Sequence, residues 1–147
     1  MFKKNKKGFT LIELLLTITI ILLVASLVVI GTFDVRKKGQ DKRIGAEMDQ
    51  IRKGAELYKD QNGGVYTGLS CSSVGLISAL CVDIEHYNDE GDLIIQVSSI
   101  GDKYCAYTPL SSSSSRWYCI DSEGKSVETS INPSGSGYCT STTFVCP

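Results

Sequence analysis

Gly8-Phe9-Thr10-Leu11-Ile12-Glu13-Leu14-Leu15 joins a lysine-rich head (Lys3, Lys4, Lys6 and Lys7) to a long apolar run. From Leu14 to Phe33 no residue is charged, and apolar side chains, Thr, Ser and Gly fill the stretch. Glu13 stands just inside it. An ionisable group in a membrane segment costs about 2.5–3.5 kcal/mol at the helix centre and less near the edge, so it points to function. Residues 9–33 are long enough to span a bilayer as a helix, which takes about 20 residues. A cleaved secretory signal is the ordinary alternative, but its apolar region is about 7–15 residues and ends at a small-residue cut site. Val24-Ala25-Ser26 and Ile30-Gly31 look like such a site but lie within a longer run.

The lysine-rich head, the Lys6-Lys7-Gly8 junction before Phe9, and the acid at the fifth position after the junction resemble the type III leader of type IV prepilins and pseudopilins. That resemblance covers residues 3–33. It implies that a prepilin peptidase cuts after Gly8, methylates the new amine of Phe9 and leaves the apolar helix attached. Gly8 and Phe9 are then the processing pair, and Glu13 is the assembly residue. The implied partners are the peptidase, other pilin subunits in a helical homo- or hetero-polymer, an assembly platform protein, and the membrane before assembly. The implied function is a structural subunit of a type IV pilus-like filament and not an enzyme. A pseudopilin of a type II secretion or DNA-uptake machine shares the same leader. Different classes are a membrane-anchored binding ectodomain and a secreted disulfide-rich domain.

The chemistry at Glu13 supports the implied role. Cleavage would place an amine on Phe9 in the same apolar surroundings as the carboxylate, and an opposite charge offsets the desolvation of each. Within one helix the two groups lie four residues apart and can meet. Between subunits, Glu13 of one chain would meet Phe9 of the next and set the axial register. The alternative is a carboxylate snorkelling to the bilayer edge with no partner.

From Asp34 the composition turns charged while helical periodicity persists. Ile44, Met48, Ile51, Ala55 and Tyr58 form one stripe of an amphipathic helix. A coiled-coil seam is the competing reading, but the stripe covers too few heptads to prefer it. No proline precedes Pro109, and Asn62-Gly63-Gly64 is a good stop signal. The chain therefore divides into a leader at 1–8, an apolar transmembrane or assembly helix at 9–33, an amphipathic helix at 34–61 and a head at 62–147. One continuous helix over 9–61 would be about 80 Å long. Many members of the resembled family carry a proline in the first half of this helix. Here Gly31, Gly39, Gly45 and Gly54 are the weak points instead, each costing about 1 kcal/mol relative to Ala.

Residues 62–92 read as a loop region with a short helix over 73–81, its contacts supplied by Val74, Leu76, Ile77 and Leu80. Strand-like runs follow at 93–100, 103–108, 116–121 and 125–131, separated by turn residues. Connections this short predict an antiparallel meander. The fold class expected is α+β, a long N-terminal helix packed on a small antiparallel sheet, with a disulfide-stabilised C-terminal region.

The formal charge of −1 hides an asymmetry: without the four leader lysines, 11 basic residues face 16 acidic ones, or −5. No basic, aromatic-interleaved surface supports direct nucleic-acid binding. Arg36, Lys37, Lys38, Lys42 and Arg43 follow the apolar run, so the positive-inside rule is nearly balanced. The six cysteines, all beyond residue 70, break the tie. An even set of this kind reads as an oxidised framework, which places the C-terminal part outside the cytoplasmic membrane before assembly and on a cell-surface filament afterwards.

Zinc is the competing use of the cysteines, but no pair has Cys-x2–4-Cys spacing and His86 is poorly placed to help. If the second and third strands form a hairpin centred on Ser112, Cys105 opposes Cys119 and Tyr107 opposes Trp117, a geometry that suits a disulfide. Loop closure favours Cys71–Cys81 and Cys139–Cys146 for the remainder. The resembled family often closes a C-terminal loop in this way.

The acidic patch Asp83, Glu85, Asp89, Glu90 and Asp92 is only a fragment of a calcium loop and reads first as a solvated turn. The run Ser111–Ser115 reads as a flexible loop before a glycosylation site. His86 lacks a Ser, Cys or Asp motif that would make it catalytic. No cofactor or metal is expected.

Overall fold

The computed structural model describes residues 8–73, 75–88, 91–135 and 137–147, apart from the side chains of 28–33. The chain divides into two compact units between Arg36 and Lys37. Helix α1, Leu11–Gln61, runs through both. Helix α2 is Leu76–Tyr87, and four strands follow: β1 Ile94–Val97, β2 Tyr104–Leu110, β3 Ser113–Asp121 and β4 Ser126–Thr129. They form one antiparallel sheet in the order β1-β2-β3-β4, the expected α+β meander.

In the first unit every described side chain from Gly8 to Leu27 is exposed. Among the described residues no helix is both long and apolar enough to cross a membrane. The transmembrane helix expected over 9–33 is therefore not found among them, and part of that run, at 28–33, lies outside the described side chains.

In the second unit the stripe on α1 builds the core. Ile44, Met48, Ile51 and Ala55 are fully buried and cluster with Tyr104, Ala106, Leu110 and Ile120 of the sheet. Tyr58 packs at the edge of this cluster. At Gly45 a Cβ would meet the Tyr118 ring at 2.9 Å, so the missing side chain lets the sheet approach the helix. The helix stops at the predicted signal. Gly63 and Gly64 take positive φ values of 70° and 87°, which glycine adopts without steric cost. The Gly64 N–H returns to the Lys59 carbonyl at 2.8 Å, closing the last turn.

Helix α2 is longer than the expected 73–81. Its buried residues Ile77, Leu80, Cys81 and Ile84 fall at i, i+3, i+4 and i+7. That stripe carries the helix through Asp83, Glu85 and His86, whose side chains lie on the outer face. Leu76, expected as a contact, is exposed, and Val74 lies outside the described residues. Buried Asn88 ends the helix by donating from Nδ2 to Thr108 Oγ1 at 2.7 Å and to the Pro109 carbonyl at 2.8 Å. The acidic patch is only partly described, since Asp89 and Glu90 lie outside. Among the described residues no cluster of His, Cys, Asp or Glu is arranged to hold a metal ion.

The hairpin register differs from the expected one. Cys105 opposes Asp121 and Tyr107 opposes Cys119, a shift of two residues. Leu110 pairs with Ser113 around a tight turn at Ser111 and Ser112, while Pro109 pairs with Trp117, so Ser114, Ser115 and Arg116 are extra on β3. Pro109 has no N–H to continue the ladder, and such an irregularity suits a proline. Three of the five serines expected in a loop are thus in a strand.

A shift of two preserves which face each side chain occupies, so Cys105 and Cys119 share a face but not a bond. Both reach the C-terminal tail instead: Cys105 bonds Cys139 and Cys119 bonds Cys146, each with Cα atoms 5.8 Å apart. The expected Cys105–Cys119 and Cys139–Cys146 bridges are corrected accordingly. Cys71–Cys81 forms as expected.

Asp121, 1% exposed, completes the tail's attachment. Its Oδ1 accepts from the N–H groups of Glu123 and Lys125 at 3.0 and 2.9 Å, and its Oδ2 from the Cys146 N–H at 2.9 Å. One carboxylate therefore shapes the β3–β4 turn and pins the chain end. Asp121→Ala would strip the buried Cys146 N–H of its acceptor, and an unsatisfied buried group costs about 1–3 kcal/mol. The expected loss of head stability is about 2–3 kcal/mol, read as a lower urea midpoint with all three disulfides intact.

Candidate assembly site

The start of α1 carries the residues expected to act in processing and assembly. Gly8 is exposed, with nothing within 4 Å of where a Cβ would lie, and Phe9 is 78% exposed. The junction expected to be cut is therefore open on its described side. Met1 to Lys7, the rest of the expected leader, lie outside the described residues.

Glu13 is engaged by Thr10, a residue that the sequence reading did not single out. Thr10 donates to Glu13 Oε2 from its backbone N–H at 3.0 Å and from its hydroxyl at 2.8 Å. The Glu13 N–H donates back to Thr10 Oγ1 at 3.3 Å. This is a reciprocal capping box, in which a Thr and a Glu three residues later satisfy backbone donors at a helix start. The Leu14 N–H donates to the Thr10 carbonyl at 3.2 Å and begins the helical ladder. The signal Thr10-Leu11-Ile12-Glu13 is legible in the sequence, and the carboxylate that its charge singles out is also the capping group.

Among the described residues Glu13 Oε1 has no hydrogen-bond partner, so one oxygen holds the helix start and the other remains available. In this uncleaved chain Phe9 carries a peptide nitrogen, and the expected amine–carboxylate contact has no amine to form with.

Below the cap, Leu11, Ile12 and Leu27 are 81%, 76% and 73% exposed, with no described residue covering them. The few hydroxyls in this stretch are turned back onto their own helix. Thr17 donates to the Leu14 carbonyl, Thr19 to Leu16 and Ser26 to Leu23, each at 2.8 Å. Their hydrogen-bonding needs are met internally, which leaves a surface that is apolar on every side. Such a helix is stable only when lipid or other protein surrounds it.

Residues 3–29 match the prokaryotic N-terminal methylation motif. Over 73 residues the chain is 34% identical to the type IV wide pilus major component PilA4 of Thermus thermophilus, covering 50% of this chain and 55% of that protein. The chain thus spans about half the length of the curated relative it matches. No solved structure matches it.

Proposed function

We infer that this chain, which carries the N-terminal methylation motif of the type IV pilins, is a pilin-like structural subunit of a type IV pilus. A prepilin peptidase cuts between Gly8 and Phe9 and methylates Phe9. The subunit waits in the cytoplasmic membrane with its C-terminal head outside. An assembly platform then adds it to a filament of like subunits through the N-terminal helix. The observation that carries this reading is the helix start: an apolar surface exposed on every side, headed by one capped carboxylate with a free oxygen. A buried polymer core accommodates both features, since it supplies apolar neighbours and an amine. Similarity to a structural pilus component supports a non-enzymatic role.

Intact mass of assembled protein tests the processing step. The expected result is loss of residues 1–8 and gain of one methyl group, whereas Gly8→Glu should retain the leader and stay out of filaments. Full-length, unmethylated protein in mature filaments would contradict the reading. Electron microscopy of cell-surface fibres separates the pilus from the pseudopilus alternative.

A further inference from the structure

Lys37, Lys38 and Lys42 crowd the first turns of α1 within the second unit, and all three are exposed. Among the described residues no ion pair engages any of them. Between residues 35 and 46 the single acid is Asp41, which is 8% exposed and accepts from the Ser112 N–H at 3.1 Å. Lys38 and Lys42 also line a cleft of ≈ 180 Å³ with Asp41, Arg116 and Glu128, where Arg116 already pairs with Glu128. Like charges four residues apart, as at Lys38 and Lys42, disfavour a helix, so the grouping has a local cost that no ion pair among the described residues offsets.

We propose that this basic belt seats the head on anionic lipid headgroups before the subunit enters the filament. The inference rests on the membrane-anchored reading above. Two observations favour lipid over a protein partner. In sequence the belt begins four residues after the uncharged run that ends at Phe33. In addition, cations on the outer side run against the positive-inside bias, so a use for their charge there offsets that disadvantage. The phosphate of the headgroup is the recognised group.

The single tryptophan, Trp117, neighbours Arg116 of the cleft wall in sequence and serves as the probe of the head's approach to the membrane surface. The full chain is reconstituted in phosphatidylcholine vesicles with or without phosphatidylglycerol, each containing a lipid with a quencher at headgroup level. Phosphatidylglycerol should increase Trp117 quenching. Each cation near an anionic surface is worth about a fivefold change in the surface-bound population. Replacing Lys37, Lys38 and Lys42 together by Gln should therefore return quenching to the phosphatidylcholine level, as should about 1 M salt. Equal quenching in the two lipids, with both vesicles carrying the chain on flotation, overturns the inference alone. So does quenching that follows chain density and not lipid charge, which would make a neighbouring copy the partner. A chain that floats with neither vesicle overturns the anchored reading and this inference with it.

Discussion

Glu13→Gln subunits are expected to be processed normally and yet to enter filaments at least about tenfold less than wild type, because an amine left unpaired in an apolar core costs several kcal/mol. The capping geometry makes this substitution a clean one. Gln is accepted at the third helical position of a capping box, so the Thr10 contacts and the start of α1 should persist. Only the charge is removed, and the uncharged helix is more apolar, so insertion should survive. Thr10→Ala provides the contrast: it keeps the charge but removes the cap, at a cost of about 1 kcal/mol. Assembly should then fall much less. Filament yield per processed subunit, measured by shearing and immunoblot, separates the two. Wild-type polymerisation of processed Glu13→Gln subunits would reduce Glu13 to a helix cap.

The second large effect is expected at the tail. Cys105–Cys139 and Cys119–Cys146 close loops of 34 and 27 residues that overlap in sequence. Chain-entropy arguments give about 3.5–4 kcal/mol for loops of this length. Replacing Cys119 and Cys146 together by Ser should cost about that much, leaving the tail held by its remaining bridge and by Asp121. Removing both bridges should free the tail and uncover the sheet face carrying Tyr107, against which Cys139 and Phe144 pack. Urea unfolding followed by Trp117 fluorescence measures the loss. A non-reducing peptide map should link Cys105 to Cys139 and Cys119 to Cys146, and a Cys105–Cys119 peptide would contradict this arrangement.

Much of the architecture was legible in local pattern. A four-residue capping signal marks the start of α1, and a 3.6-residue stripe identifies its buried face. Asn62-Gly63-Gly64 located its end, because a helix cannot continue easily through two glycines in positive φ. Each of these depends on residues within one or two turns of each other. The length of α2 was also written in the spacing Ile77, Leu80, Cys81, Ile84, but the acids on its outer face hid the pattern from a reading based on polarity.

Cysteine pairing belonged to the tertiary structure. Strand parity put Cys105 and Cys119 on one face correctly, since that follows from the two-residue period of a strand. Their partners depended on a bulge of three residues beside Pro109 and on a tail that folds across that face. Neither leaves a periodic trace in the sequence. A hairpin register is the sum of one turn and every irregularity between it and the residue in question. A two-residue shift keeps every side chain on its own face, so the apolar pattern could not distinguish the two registers. Packing of α1 against Tyr118, the Asp41–Ser112 contact and the Asp121–Cys146 contact decided it, all of them between residues far apart in the chain.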